Sequence, residues 1–418
     1  MKLRCLCALL IAFPPLAAAV DFDWSGFATL GYAISDKPYR YQRVIDEGGT
    51  FTRDSVLGGQ LDARLTPRLS ATLQARLAPS ADSDSGWDPT LAWAFLSWRP
   101  ADDLMLRAGK LRIPFMLDTE NLDVGVTYPY ARLPTEVYAT APTSDIYGLM
   151  LSQSLWSNLG EWAVDGYYGR IGTHQRVYLR RAAGEPEGRA GYDSTRMKGG
   201  GLVVSLRRDD DIYRLGLHRI RTERRKGDIT ADFPFTSLPP PYQPGEGFYD
   251  LSNAPQTKAS TTRMLILGAS VELPAAFRLS GEYVRLLNDG AVNGWNRWAA
   301  YAALSRRSGD WTPYVYLARM QSGSQVLNLY DAVTDNRVSI PSPLVDASQR
   351  AVGDMLLAHD QGTLAIGTSY RLGANTLLKA EWSQTRTWRV SGFIDPPAGG
   401  DSANQRINVL SVSCSFTF

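Results

Sequence analysis

The chain has 418 residues, with 44 basic against 42 acidic side chains and 11% aromatics. So even a charge balance excludes a general nucleic-acid-binding surface, which needs a basic face. No uncharged apolar run of eighteen residues follows residue 20, so a membrane-spanning helix is excluded as well.

Residues 1–19, MKLRCLCALLIAFPPLAAA, read as a secretory leader. Lys2 and Arg4 supply the charged start, residues 5–16 the apolar stretch, and Ala17 and Ala19 the small-residue cleavage site. Export through the Sec pathway and a cut after Ala19 are expected. The cut removes Cys5 and Cys7, so residues 20–418 keep only Cys414 and form no internal disulfide.

From residue 24 the chain breaks into segments of period-two alternation, separated by turns of Gly, Pro, Asp and Asn. The alternation predicts strands over 24–34, 55–65, 69–77, 90–98, 104–112, 146–155, 161–170 and 199–207. It predicts further strands over 212–221, 263–272, 277–286, 294–305, 311–320, 363–371, 376–387 and 402–418. The clearest hairpin is the second and third. Leu57, Leu61, Ala63 and Leu65 share one face, with Gln60, Asp62 and Arg64 on the other. Across the turn, Leu69, Ala71, Leu73, Ala75 and Leu77 alternate with Ser70, Thr72, Gln74 and Arg76. The last strand sets Leu410, Val412, Cys414, Phe416 and Phe418 against Ser411, Ser413, Ser415 and Thr417.

Sixteen strands result, and their connections alternate between long and short. The long ones include 113–145, a polar Arg-rich loop over 171–196, a Pro-rich loop over 222–261, and 321–361. This sorting predicts an all-β fold, a transmembrane antiparallel β-barrel of about 16 strands with long extracellular loops and short periplasmic turns. It is one domain over 20–418, because a closed sheet has no edge at which to divide.

A barrel of this strand number is too wide for its side chains to fill, and an aqueous channel remains. Loop 113–145 is the expected constriction. Its Asp118, Glu120 and Asp123 are expected to form an acidic cluster facing Arg64, Arg76 and Arg107 on the wall, with Asp62 beside them. Opposed charges of this kind set up a transverse field that filters ions.

Three stretches carry a resemblance. Residues 109–115, GKLRIPF, are similar to the G-[KR]-x-[KR]-x-P-F stretch of the phosphate-selective-type porin group. Residues 364–383 resemble the penultimate hairpin of many sixteen-stranded porins, and the amphipathic last strand ends in Phe418. Together the whole of 20–418 resembles a Gram-negative outer-membrane porin. The resemblance implies passive diffusion of small hydrophilic solutes and ions, and a homotrimer with the 113–145 loop folded into each lumen. It also implies contact with outer-membrane lipid and lipopolysaccharide, and insertion by the barrel-assembly machinery through the strand ending at Phe418. One departure matters. The loop is mixed in charge, with Lys110, Arg112 and Arg132 against Asp118, Glu120, Asp123 and Glu136, so phosphate selectivity is not carried over. Basic residues also crowd the next two long loops, among them Arg176, Arg180, Arg181, Arg224 and Arg225, and are expected to meet lipopolysaccharide phosphates or, alternatively, to form an anion-attracting vestibule.

Two other readings stay open. A substrate-specific channel for an anion, organic acid or sugar needs aromatic or basic residues along the lumen, for which Trp93, Phe95 and Tyr316 are candidates. A barrel enzyme needs a nucleophile beside a base, or a metal set. His174, His218 and His359 have no metal-ligand spacing and no Gly-x-Ser-x-Gly elbow is present. Catalysis, cofactors and metals are therefore not expected.

Overall fold

The alternating segments form strands in the computed structural model, which describes residues 20–180, 188–292, 295–397 and 400–418. The leader at 1–19, Arg181 and Gly294 lie outside the described residues. The barrel strands are β1 (Asp21–Ser35), β2 (Val56–Thr66), β3 (Leu69–Pro79), β4 (Trp87–Ala101), β5 (Leu104–Arg112), β6 (Asp145–Ser157), β7 (Gly160–Leu179) and β8 (Arg189–Arg208). They continue as β9 (Asp211–Arg224), β10 (Ser260–Leu273), β11 (Phe277–Asp289), β12 (Arg297–Arg306), β13 (Trp311–Ser322), β14 (His359–Gly373), β15 (Thr376–Ser391) and β16 (Arg406–Thr417). Each pairs with its sequence neighbours, and β1 pairs antiparallel with β16 from Phe27↔Thr417 to Ser35↔Val409, so the sheet closes.

The seam explains the aromatic last residue. Gly26 and Phe418 exchange backbone hydrogen bonds of 2.7 and 3.0 Å. The Phe418 ring meets Trp24 edge-on at 6.5 Å. A Cβ on Gly26 would lie 2.2 Å from that ring, so only glycine leaves it a seat.

Outward positions are the apolar half of the alternation. Leu61, Leu73, Leu149, Leu217, Leu317 and Leu410 are all exposed on the outer surface. Trp24, Trp98, Trp156 and Trp311 stand at the short-turn ends of their strands, while Trp87, Tyr147 and Trp388 stand toward the other end. An apolar belt between two aromatic rings is the surface a bilayer solvates and water does not.

The long connections hold more structure than expected. The stretch 171–196, expected as a loop, is mostly a strand pair, with Ile171↔Met197 through Leu179↔Arg189 in register. Ile171, Thr173 and Val177 recur every second or fourth residue, and β-branched residues favour strand over loop whatever the charge between them. The stretch 321–361 contains α2 (Ser324–Thr334) and α3 (Pro343–Met355), separated from α1 (Thr135–Tyr138) in the 113–145 loop. Helix α3 starts with Ser342 capping Val345 N–H and Pro343 in its first turn. Val326, Leu327, Tyr330, Val333, Val352 and Leu356 of these helices bury themselves together with Phe233. The Pro-rich connection forms two small hairpins, pairing Ile229 with Thr257 and Phe235 with Tyr249.

Candidate channel and its constriction

The 113–145 loop leaves β5 and folds into the barrel because both halves of its chemistry are satisfied there. Its apolar residues Ile113, Phe115, Met116, Tyr130, Leu133 and Val137 join inward-facing Met150, Tyr167, Met264, Ile266, Tyr301 and Tyr314 in one buried cluster. At about 1.5–3 kcal/mol for each large apolar side chain removed from water, this burial draws the loop against the wall.

Polar contacts fix its path around the lumen. Asp123 accepts from Arg76 of β3 and, at 2.9 Å, from Arg112, which also donates to Asp145 at 2.9 Å. The loop backbone at Leu117 and the Tyr138 hydroxyl each donate to Glu282 of β11 at 2.8 Å. Arg214 of β9 donates to the Met116 carbonyl at 2.7 Å. Gln361 and Thr363 of β14 donate to Glu136 at 2.7 and 2.6 Å. Lys379 of β15 donates to the Tyr130 carbonyl at 2.8 Å, and Arg132 grips Asp54 with two nitrogens. Gly125 comes so close to β1 and β16 that a Cβ there would lie 2.3 Å from the Ser415 hydroxyl. The loop is thus tied to strands all around the barrel.

Its aspartates Asp118 and Asp123 feel opposite surroundings. Burial raises the Asp118 carboxyl above the ordinary range, against weaker opposition from Tyr138 and Arg214. Burial would raise Asp123 as well, but Arg76 and Arg112 outweigh it and hold that carboxyl low. Arg132 is likewise held protonated by Asp54 despite its burial.

The expected cluster is therefore split. Asp123 meets Arg76, as the charge reasoning expects, and Arg112 joins them. Glu120 lies 3.9 Å from Arg214, not from one of the expected arginines. Asp118 faces the Tyr138 hydroxyl at 3.3 Å. Arg64 sits at the short-turn end, 3.6 Å from Asp21 and well exposed, away from the loop. Its place two residues from the β2–β3 turn puts it there. Arg107 lies over Phe95, 5.7 Å from the ring centre, and reaches the Met150 sulfur rather than a carboxylate. Asp62 accepts from Gln60 at 2.6 Å and from Thr72 at 2.5 Å on the β2–β3 wall. Arg112, Glu136, Arg132, Glu282 and Lys379 are the anchors missing from the expected set. The signal for them was in strands such as residues 264–267, MLIL, apolar on both faces and so requiring something to cover the inner one.

Cavities lie on both sides of the loop. One of about 380 Å³ at the short-turn end is lined by Tyr128, Glu272, Arg278, Arg307, Asp310 and Arg371. Another of about 190 Å³ lies toward the long loops, against Ala139. Above it the long connections converge on an ionic knot. Arg43 donates to Asp84 at 3.1 Å, and Arg176 bridges Asp84 at 2.8 Å and Asp395 at 2.5 Å. With hydrogen bonds from Arg176 and Tyr192 outweighing burial, the Asp84 carboxyl is pulled down to about 2.

No protein-family model matches the sequence, and no curated protein matches it. Solved structures match in fold. The anion-selective porin from Comamonas acidovorans shares 13% identity over 96% of this chain and 100% of its own, with a TM-score of 0.53. The outer membrane channel DcaP of Acinetobacter baumannii shares 10% over 96% and 98%, also at 0.53. OmpT of Vibrio cholerae, an outer membrane protein in trimer form, shares 10% over 96% and 100%, again at 0.53. At such identities the likeness is one of architecture, and the architecture is the closed sixteen-stranded barrel of outer-membrane porins and channels.

Proposed function

We propose that the protein is an outer-membrane porin through which small hydrophilic solutes and ions diffuse passively. The observation that carries this reading is a closed sixteen-stranded barrel, apolar outside, whose interior is narrowed by a loop pinned through Asp123, Arg76 and Arg112. The solute path follows the β2–β5 wall, where Gln60, Asp62, Ser70, Thr72, Ser97 and Arg107 remain partly exposed beside the loop. Asp62, Arg107, Arg76 and the loop carboxylates Asp118, Glu120 and Asp123 set its ion preference; Arg64 acts only at the mouth.

The long loops face outward and the short turns face the periplasm, with the chain exported by Sec and cut after Ala19. The neighbours described as porins and channels favour transport over catalysis. A homotrimer in contact with lipid and lipopolysaccharide, inserted by the barrel-assembly machinery through the strand ending at Phe418, completes the reading. The trimer-form neighbour supports the first part.

Single-channel recording of the folded protein in planar bilayers under a salt gradient tests it. Steps arriving in threes with a finite reversal potential are expected. Folded, heat-modifiable protein that never conducts would refute the channel.

A further inference from the structure

The 190 Å³ cavity between α1 and the ionic knot contains a charge with no counter-charge. Arg297, at the start of β12, is 5% exposed and lines it. Its Nε has no hydrogen-bond partner, and among the described residues no carboxylate pairs with its guanidinium. Its guanidinium lies over the Trp295 ring, 4.7 Å from the ring centre. The other arginines on this cavity, Arg43 and Arg176, are matched by Asp84 and Asp395. A guanidinium this deeply buried is costly unless an anion accompanies it.

Other lining groups fit the same need. His359 is 4% exposed with Nδ1 unpartnered, so the ring can turn an N–H toward an anion. The imidazole packs on Phe393, centroids 4.6 Å apart, so Phe393, Trp295 and Ala139 give the cavity an apolar side. Its volume is that of about six waters. One unmatched positive charge, one imidazole nitrogen and flat apolar walls suit a small planar monoanion. A dianion such as inorganic phosphate brings a second charge that nothing here answers.

We infer that this cavity is a binding site for a small organic monocarboxylate, held by a forked contact from Arg297, a hydrogen bond from His359 and stacking against Phe393 and Trp295. An arginine fork matches the two oxygens of one carboxylate and is the strongest such contact available. The site lies between the ionic knot and the constriction loop, so it deepens the channel reading by naming a solute class, and rests on that reading only for how the anion enters.

The test is calorimetric titration of benzoate and of acetate into the full chain, folded in detergent, in chloride-free buffer. Wild-type protein binds benzoate saturably, and Arg297→Gln weakens it at least about tenfold, the size expected for one charged hydrogen-bonded contact. Arg297→Lys restores part of the loss. Phe393→Ala weakens benzoate several-fold and leaves acetate unchanged, and reads the site through a loop residue if the arginine variants do not fold. Arg68→Gln, in an exposed turn, binds as wild type. Absence of saturable benzoate binding by heat-modifiable wild type overturns the inference, as does undiminished binding by a folded Arg297→Gln, or binding of sulfate or chloride with benzoate excluded. Protein that conducts without binding benzoate sinks this inference alone. Protein that binds without conducting sinks only the channel.

Discussion

Two walls of this barrel share one strand geometry and face one interior, yet they differ in chemistry. On β2 to β5 the inward residues include Gln60, Asp62, Ser70, Thr72, Ser97 and Arg107, which stay partly exposed. On β10 to β13 they include Met264, Ile266, Val284, Tyr301, Tyr314 and Met320, all buried under the 113–145 loop. The loop therefore buries its apolar residues against β10 to β13 and meets the β2–β5 wall only through ion pairs such as Arg76 with Asp123. A barrel too wide for its own side chains is filled asymmetrically by a connection, and the unfilled side is left for water.

The ion pairs and the apolar contacts that hold the loop are separable. The largest effect is expected from Asp123→Ala, which leaves Arg76 and Arg112 facing each other without their shared carboxylate. Losing one partner of a buried pair costs about 3–5 kcal/mol. The loop end swings off the polar wall, and single-channel recording shows larger, noisier conductance. An unchanged trace would mean that apolar packing alone holds the loop. Next comes Ile266→Ala, fully buried on the apolar wall, expected to cost about 2–5 kcal/mol as a lower urea midpoint of the detergent-folded barrel. Thr72→Ala on the polar wall, partly exposed, is expected to cost far less in the same assay. Equal losses would erase the distinction between the walls. Third, Arg107→Glu reverses one charge on the polar wall and should move the reversal potential toward cations with little change in stability. If the potential stays put, solutes do not pass that wall.

How much of this was readable in the sequence depends on the range of the forces involved. All sixteen strands were legible, because alternation is a local property and the lipid face punishes any break in it. β3 illustrates this, since its alternation runs unbroken from Leu69 to Leu77. Helices α2 and α3 were not legible, because each is short and its stability comes from packing on Phe233 and on the other. The meeting of Arg76 and Asp123 was reachable by charge reasoning. The displacement of Arg64 depended on its height in the barrel. The ties from Glu136 to Gln361 and from Lys379 to Tyr130 depended on the loop's route, which contacts more than 200 residues apart decide.

The smallest effect sharpens the comparison within the loop itself, where two aspartates titrate in opposite directions. Asp118 sits toward the apolar wall and burial raises its carboxyl above the ordinary range. Ionising it therefore weakens the fold, so its contribution is most favourable below the unfolded-state value of about 3.9 and is lost as pH rises through the folded value. Asp123 sits toward the polar wall, held low by Arg76 and Arg112 against its burial. Its contribution is complete above the unfolded-state value and is lost as pH falls through the folded one. Melting Asp118→Asn and Asp123→Asn beside wild type from acid to neutral pH separates them. Asp118→Asn should gain on wild type as pH rises past the ordinary carboxylate range. Asp123→Asn should already trail wild type by its full amount at the ordinary carboxylate range, keep that gap up to neutral pH, and close it only as pH falls into strong acid. Two curves of the same sign would mean that the two walls do not impose different electrostatics on the loop between them.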